Sequence, residues 1–181
     1  MADRSKYKPK GEIKPYPVLT TAAATLLREI ARRKSVFEFG SGGSTLWFAG
    51  FVRSLISIED DQAWYDAVKA ELDAQECTKV DLRFVPTKSL PDAITDTGLY
   101  NVVFVDCLTQ NERRRSVILG AKHVKPGGWL VADDYDFPMT HKEVERLRAQ
   151  GWDVAVVSGT KTYPIRKVTV KTSTAFCRKP V

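Results

Sequence analysis

The stretch from Val36 to Thr45, VFEFGSGGST, constrains the fold of this chain more than any other segment. An apolar run that includes Glu38 leads into three closely spaced glycines and two hydroxyl residues, namely Gly40, Gly42, Gly43, Ser44 and Thr45. Glycine permits unusual backbone angles and lets a ligand approach the main chain closely. A helix that begins after such a turn offers free N–H groups. The stretch therefore predicts a buried strand, a tight turn and a helix start beside a ligand.

Acidic residues follow several of the predicted strands. Val52–Glu59 is the next strand pattern and ends in an acid, about 20 residues after the glycines, where a Rossmann-type site holds a ribose. The run Asn101–Val105 precedes Asp106, and Trp129–Ala132 precedes Asp133 and Asp134. Like charges at one sheet edge repel each other and are hard to explain by stability. Because ligands bind at that edge, this convergence is the strongest functional signal in the sequence.

Strand and helix patterns alternate along most of the chain, which predicts an open, mostly parallel sheet with helices on both faces. The last strand alternates polar and apolar residues, as an antiparallel strand with one exposed face does. The predicted helices are Leu19–Arg33 with Thr20 or Thr21 as its cap, Ser44–Phe51, Asp61–Ala74, a short one at Leu90–Thr95, Asn111–His123 and His141–Gln150. The predicted strands are Val36–Phe39, Leu55–Ile58, Val80–Val85, Asn101–Val105, Trp129–Ala132, Asp153–Val157 and Val168–Phe176, with a turn at Pro126–Gly128.

Length and composition predict one domain with no membrane association. The chain has 181 residues and no apolar run of membrane-spanning length. Its three cysteines, Cys77, Cys107 and Cys177, favour a reduced, cytoplasmic compartment over a disulfide framework. We expect a flexible basic arm over residues 1–16 and a single domain over 17–181.

The net charge of +6 is unevenly distributed along the chain. Residues 1–14 carry five Lys/Arg against two acids, and residues 141–181 carry nine against three. The middle, 15–140, carries fourteen against seventeen. Solvated termini explain this pattern, and an anionic partner bound through the basic termini is the sharper alternative.

Together these motifs resemble class I S-adenosylmethionine-dependent methyltransferases, over about residues 17–181. The stretches that carry the resemblance are VFEFGSGGST, ISIEDD, YNVVFVDC and VKPGGWLVADDYD, followed by two strands. The resemblance implies a single-domain, doubly wound Rossmann-like α/β sheet of seven strands, with the last strand antiparallel and inserted beside the fifth. It also implies that Gly40, Ser41 and Gly42 face the methionine moiety, that Glu59 accepts the ribose hydroxyls, and that Asp60 and Thr87 lie near the adenine. The full set of candidate cofactor-binding residues is Glu38, Gly40, Ser41, Gly42, Ser44, Thr45, Glu59, Asp60, Thr87 and Asp106.

A nicotinamide-dependent dehydrogenase is the alternative for the glycine turn. The G-x-G-x-x-G pattern is imperfect, because Thr45 occupies its sixth position, and no second domain is present to hold a hydride acceptor. The acid Glu38 inside the strand is also untypical of a dinucleotide site. The methyltransferase interpretation is therefore preferred.

Similarity to catechol and macrocin-type O-methyltransferases implies a metal site. In those enzymes an Asp after the fourth strand and a pair after the fifth hold a divalent ion, and Asp106, Asp133 and Asp134 occupy the matching positions. Three carboxylates suit Mg²⁺, which would lower the pKa of a bound hydroxyl. The alternative is that Asp106 contacts the cofactor or caps a helix and that the pair forms turn hydrogen bonds. Thr109 stands where the catechol enzyme has its lysine base.

The candidate catalytic residues are Asp106, Asp133 and His141, with His141 as the general base if one exists. His141 as an exposed first-turn residue and His123 as a structural residue are the plainer interpretations. Trp64 or Tyr65 is a candidate to cover the adenine. The basic group Arg113–Arg115 is interpreted as facing water.

The sequence thus predicts a methyltransferase that O-methylates a small molecule, with Mg²⁺ as an optional cofactor. One alternative is a metal-free methyltransferase acting on nitrogen, nucleic acid or protein. Another is a non-catalytic subunit that only binds the cofactor. The acceptor and the oligomeric state cannot be read from the sequence.

Overall fold

The structure, a computed structural model, describes residues 12–107, 109–163 and 167–181. Its helices are α1 (Thr21–Ala31), α2 (Gly43–Ala49), α3 (Gln62–Ala74), α4 (Gln110–Lys122) and α5 (Pro138–Ala149). Its strands are β1 (Ser35–Phe39), β2 (Ser54–Glu59), β3 (Val80–Phe84), β4 (Tyr100–Val105), β5 (Val124–Ala132), β6 (Asp153–Tyr163) and β7 (Val168–Arg178). In the described part of the chain, no helix is long and apolar enough to cross a bilayer.

The seven strands form one sheet in the order β3-β2-β1-β4-β5-β7-β6. Neighbouring strands are parallel from β3 across to β5. β7 is antiparallel to both β5 and β6, between which it lies. The predicted fold class and the insertion of the last strand beside the fifth are confirmed. Since parallel strands end at one edge, the acids at or after the ends of β1, β2, β4 and β5 lie along that edge.

Two apolar layers cover the two faces of the sheet. On one face, α1 and α2 pack through residues such as Leu27 and Phe48 against Phe104. On the other face, α4 and α5 pack through residues such as Val117 and Val144. Every residue of β1 is buried, as expected for a central strand covered on both sides. The sheet edge that carries the acids is therefore held by a rigid, fully packed centre.

Several predicted boundaries shift in the structure. The predicted short helix at Leu90–Thr95 is two 3₁₀ turns, at Thr87–Ser89 and Pro91–Ile94. The predicted turn at Pro126–Gly128 lies inside β5, where Gly127 has φ +70° and the pairing with β4 shifts register. A β-bulge absorbs a turn-like glycine without ending the strand.

The largest difference concerns the hairpin of β6 and β7. The sequence predicts that the sixth strand ends at Val157, but β6 continues to Tyr163 and pairs with β7 along its whole length. β5 pairs only with Ala175–Arg178 of β7, so the rest of the hairpin projects beyond the carboxyl edge of the sheet. This projecting part, residues 157–163 and 168–174, is called the hairpin arm below. It forms a wall beside the acids.

The described part of the predicted basic arm lies against α2. Ile13 is buried in a cluster with Leu46 and Val68, and a Cβ at Gly43 would come within 2.6 Å of the Lys14 carbonyl oxygen. Residues 1–11 lie outside the described residues, so the flexibility of the arm stays a prediction.

Gly40 lets the turn after β1 pass against the end of β4. Its φ is +91°, and an added Cβ would lie 2.6 Å from the Asp106 carbonyl oxygen. The backbone N–H of Asp106 donates to the Phe39 carbonyl at 3.0 Å, so the two strand ends are joined. Gly98 offers a comparison, because its φ is +97° but no atom lies within 4 Å of its Cβ position.

We expect Gly40→Ala to destabilise the protein more than Gly98→Ala. Both changes place a side chain at positive φ, but only the first also forces a carbonyl contact, which adds about 1–3 kcal/mol. Urea unfolding followed by circular dichroism measures the two losses of unfolding free energy. Equal losses would contradict the close approach of Gly40 and Asp106.

Candidate functional site

The glycine turn is held by the carboxylate of Glu59 at the end of β2. One oxygen accepts from the Ser41 backbone N–H at 2.8 Å and from its hydroxyl at 2.9 Å. The other accepts from the N–H groups of Asp60 and Asp61 at 2.9 and 2.8 Å. Glu59 is 5% exposed, and burial raises its pKa to about 7. Glu59, the residue predicted to bind a ribose, thus also holds the turn in place. Of the four groups that donate to its carboxylate, only the Ser41 hydroxyl can rotate away and give its place to a ribose hydroxyl.

Glu38 holds the same turn from below. Its carboxylate accepts from the hydroxyls of Thr45 and Ser57, both at 2.7 Å. The Thr45 oxygen in turn accepts from the backbone N–H of Gly42 at 3.0 Å. Glu38 is fully buried, and that burial raises its pKa to about 7, although the neighbouring hydroxyls act in the opposite direction. The structure therefore gives Glu38 and Thr45 a supporting position behind the turn.

The main chain is open to approach at Gly42. A Cβ added there would meet only the Trp64 ring, at 3.8 Å, whereas Cβ atoms at Gly40 and Gly43 would collide with backbone. Of the two aromatic candidates for an adenine cover, Trp64 is the one at the turn, since the Tyr65 ring packs on Phe84. The remaining predicted cofactor residues are placed as follows: Ser44 is buried in α2, Asp60 is half-buried, and Thr87 is half-buried at the first 3₁₀ turn.

The three predicted metal-ligating carboxylates come together. Asp106, Asp133 and Asp134 each offer an oxygen within 4.8 Å of the others. Asp133 is completely buried, the Asp134 side chain is 11% exposed and that of Asp106 is 26% exposed. The carboxylate cluster, as these three residues are called below, lies directly beside the glycine turn through the contact of Asp106 with Gly40.

Two buried cations neutralise the carboxylate cluster. Arg113 donates to an Asp106 oxygen at 3.1 Å and lies 3.3 Å from an Asp134 oxygen. Lys161 Nζ lies 2.5 Å from Asp133 Oδ2 and 2.7 Å from Asp134 Oδ1. Their side chains are only 4% and 2% exposed. The interpretation of Arg113 as water-facing is therefore wrong. Lys161 is not among the predicted site residues, because the predicted sixth strand ends at Val157, before Lys161.

Hydroxyls of the hairpin arm complete the hydrogen bonding of the cluster. Thr174 donates to Asp133 Oδ1 at 2.9 Å, and Thr172 donates to Asp134 Oδ1 at 3.2 Å. All four oxygens of the Asp133–Asp134 pair therefore contact a donor or cation of the protein. Burial raises the pKa of Asp133, whereas Arg113 and Lys161 outweigh burial and lower that of Asp134. Burial, followed by the negative charge of Asp133, raises the pKa of Asp106 to about 7.

The carboxylate cluster does not fit a divalent metal as it stands. Mg²⁺ and Ca²⁺ bind oxygens at about 2.0–2.6 Å and need six or more of them. The Lys161 nitrogen already occupies the space between Asp133 and Asp134 at nearly that distance. An ammonium and a metal ion cannot both occupy it. The three predicted metal-ligating carboxylates lie together, but the Lys161 ammonium occupies the position between them.

The structure places the two histidines away from these contacts. His141 is exposed in the first turn of α5, and its ring lies 4.8 Å from that of Tyr135. The role of His141 as a base stays a prediction. His123 ends α4 and its Nδ1 lies 2.8 Å from the Gly98 carbonyl, in line with a structural role.

Solved structures of methyltransferases share this fold. An S-adenosylmethionine-dependent O-methyltransferase from Thermotoga maritima superimposes with a TM-score of 0.66 at 12% identity, covering 99% of this chain and 71% of that one. The chain has the class I methyltransferase fold. An rRNA methylase from Streptococcus thermophilus gives 0.63 at 12% identity, covering 92% and 98%. A precorrin-8w decarboxylase from Methanobacterium thermoautotrophicum gives 0.67 at 19%, covering 94% and 97%.

Sequence comparison adds nothing to this likeness. No protein-family model matches the chain, and no curated protein sequence matches it. The methyltransferases of similar structure include enzymes named for different acceptors, a precorrin and an rRNA among them, so the fold leaves the acceptor open. At the glycine turn, Gly42 leaves the main chain open beside the Trp64 ring, and the neighbouring Ser41 hydroxyl donates to the carboxylate of Glu59.

We expect Glu38→Gln to remove part of the pH dependence of stability. Because the pKa of Glu38 is about 7 when folded and near 4.5 when unfolded, folding takes up a proton between these values. The free energy of unfolding should therefore fall as pH rises through that window, by up to about 3 kcal/mol. Urea unfolding of wild type and variant from pH 4.5 to 7.5 measures the difference.

The exposed Glu29 on α1 provides the matched control. Glu29→Gln should retain the wild-type pH profile of unfolding free energy. If Glu38→Gln also retains it, the Glu38 carboxyl does not carry a raised pKa in the folded protein.

Proposed function

We propose that this chain is an S-adenosylmethionine-dependent methyltransferase that O-methylates a small molecule. The observation that carries the proposal is the contact between the glycine turn and the carboxylate cluster through Gly40 and Asp106, in a chain with the class I methyltransferase fold. The glycine turn suits a cofactor that approaches the main chain closely, and the carboxylate cluster presents carboxylates that can accept a proton. A transfer reaction needs both within reach of each other.

The cofactor half is proposed to lie along the turn from Gly40 to Gly42. Trp64 borders the open backbone at Gly42. Glu59 and its neighbour Asp60 supply the acidic end of β2, where a ribose is bound in Rossmann-type sites. Thr87 begins the 3₁₀ turn after β3 and is proposed to edge the adenine ring. When bound, S-adenosylmethionine would supply a methyl group together with its own leaving group.

The acceptor half is proposed to lie over Asp106 and the hairpin arm. A groove of about 480 Å³ runs along the arm and is lined by Asp136, Ser158, Gly159, Thr160, Lys171, Thr172 and Ser173. Thr172 also contacts the carboxylate cluster through Asp134. The volume is in the range of small-molecule sites.

Asp106 is the proposed proton acceptor. Its side chain is the most exposed of the three carboxylates, so an acceptor hydroxyl can reach it, whereas Asp133 is sealed. Arg113 fixes one Asp106 oxygen at 3.1 Å and keeps the carboxylate oriented. Asp106 would take the proton of the acceptor hydroxyl, while S-adenosylmethionine, when bound, would supply the methyl group and leave as S-adenosylhomocysteine once its sulfur–methyl bond is broken. Asp133 is proposed to hold Lys161 and the arm in place.

Calorimetric titration with S-adenosylhomocysteine tests the cofactor half. Gly42→Ala should weaken binding at least about tenfold and Gly42→Val should abolish it, because each adds bulk where the main chain must be approached. Gly42→Ala should keep the wild-type melting temperature, since among the described residues only the Trp64 ring lies near the added Cβ, at an ordinary contact distance of 3.8 Å. Failure of the wild type to bind would overturn the proposal and reopen the nicotinamide alternative.

Turnover of a panel of hydroxyl compounds with methyl-labelled cofactor tests the proton acceptor. Asp106→Asn should lower kcat by about 10²-fold or more while the cofactor still binds. His141→Gln should leave kcat near that of wild type. The opposite result, a loss with His141→Gln alone, would assign the base to the histidine.

The same measurements separate the alternatives. A metal-free enzyme acting on nucleic acid should bind RNA or DNA with strong salt dependence through its basic termini. A non-catalytic subunit should bind cofactor and turn over no acceptor. Arg114 and Arg115 add little to a basic face, because they pair with Glu143 and Asp92.

A further inference from the structure

We propose that Lys161 is an internal cation that takes the position of a divalent metal in the carboxylate cluster, so that methyl transfer by this chain needs no metal ion. The consequence for catalysis rests on the proposed function. The position of Lys161 does not, because it can be tested by metal binding alone.

The geometry around Lys161 is that of a filled cation position. Its nitrogen lies 2.5 and 2.7 Å from oxygens of two different aspartates. The other oxygen of Asp133 is taken by the Thr174 hydroxyl, and the other oxygen of Asp134 faces Arg113. A metal could therefore enter only by displacing the ammonium from a position that is 2% exposed.

Charge balance leads to the same conclusion. Three carboxylates face two permanent cations, and each carboxylate contacts at least one of them. Buried charges are tolerated when they are paired and hydrogen-bonded. A divalent ion added to the complete set would bring the cluster from a formal charge of −1 to +1, so it is attracted less strongly than by the cluster without Lys161. Without Lys161 the formal charge is −2, which a divalent ion matches.

Lys161 is held in place by the hairpin arm that carries it. Thr172 and Thr174 on β7 anchor the arm to the cluster. The preceding Gly159 packs against Thr20, the cap of α1, with 3.1 Å between its Cβ position and Thr20 Cγ2. The Tyr163 ring centroid lies 5.1 Å from the Lys161 nitrogen. The Lys161 ammonium is thus held in a buried position by contacts on several sides and is not a mobile surface lysine that reaches the carboxylates from solvent.

Mn²⁺ titration followed by electron paramagnetic resonance tests the proposal without cofactor or acceptor. The wild type should bind no stoichiometric Mn²⁺. Lys161→Ala should vacate the position and bind one ion per chain at least about tenfold more tightly than wild type, because three converging carboxylates suit such an ion. Adding Asp133→Asn to Lys161→Ala should remove that binding. Lys142→Ala, which changes an exposed lysine of α5, is the matched control and should, like the wild type, bind no stoichiometric Mn²⁺.

Thermal melting gives a second readout for a variant that folds poorly. Lys161→Ala should melt well below wild type without metal, because its loss leaves buried carboxylates without their partner. MgCl₂ or MnCl₂ should raise the melting temperature of this variant and leave that of wild type unchanged. Stoichiometric Mn²⁺ binding by the wild type that Asp134→Asn removes would overturn the proposal, as would a folded Lys161→Ala that binds no ion.

Failure of this proposal and failure of the proposed function give different results. A wild type that binds Mn²⁺ in the cluster and also binds S-adenosylhomocysteine leaves the methyltransferase proposal intact and restores metal assistance. A wild type that binds neither ligand leaves Lys161 in place and removes the cofactor assignment. Cofactor binding and turnover unchanged by EDTA agree with both proposals.

Discussion

The burial of three carboxylates at the edge of one sheet is the constraint on which the rest of the site depends. Asp133 cannot be ionised in its fully buried position unless a cation and hydrogen-bond donors accompany it. For Asp133 these are Lys161 on β6 and the Thr174 hydroxyl, and Arg113 on α4 pairs with Asp106 and Asp134. Removing one partner of such a buried set costs about 3–5 kcal/mol in comparable systems. The ion pairs of Arg113 and Lys161 with the aspartates therefore hold α4 and the hairpin arm against the carboxylate cluster.

Two further buried acids shape the glycine turn in the same manner. Glu59 gathers the backbone N–H groups of the turn from one side, and Glu38 holds Thr45 and thereby Gly42 from below. Burial makes the ionised form of both carboxyls costly, and the hydrogen bonds that offset this cost are those that fix the turn. Glu38 and Glu59 thus stabilise the backbone of the glycine turn through hydrogen bonds within the protein itself.

The sequence predicts the central part of the structure well, for a physical reason. Strand β1, nearly all of β4 and the end of β5 from Leu130 to Ala132 are buried, so these mainly apolar runs end where the packing ends. The acids after them could be placed at one edge from the parallel topology alone. Local patterns also offer Thr20 or Thr21 as the cap of α1, and in the structure it is Thr20, whose hydroxyl accepts from the N–H three residues later.

What the sequence did not predict depends on long-range pairing. The outer half of β6, SGTKTY, is polar and shows no apolar alternation, so it does not look like a strand by itself. Its strand conformation comes from pairing with β7. The predicted seventh strand has nine residues, whereas the predicted sixth strand, Asp153–Val157, has only five and is too short to pair with all of it. That mismatch was the available signal for Lys161. Arg113 gave no comparable signal, because only the fold brings it beneath Asp106.

Asp106 connects the two halves of the site through a single residue. Its N–H bonds to the Phe39 carbonyl, its own carbonyl fills the space that Gly40 leaves, and its carboxylate meets Arg113. Backbone contacts thus tie it to the glycine turn, while its side chain belongs to the cluster that Lys161 completes. Because its backbone N–H and carbonyl both contact the end of β1, the Asp106 backbone cannot shift without moving the turn. The distance between a bound cofactor and the proposed proton acceptor is therefore set by the sheet itself.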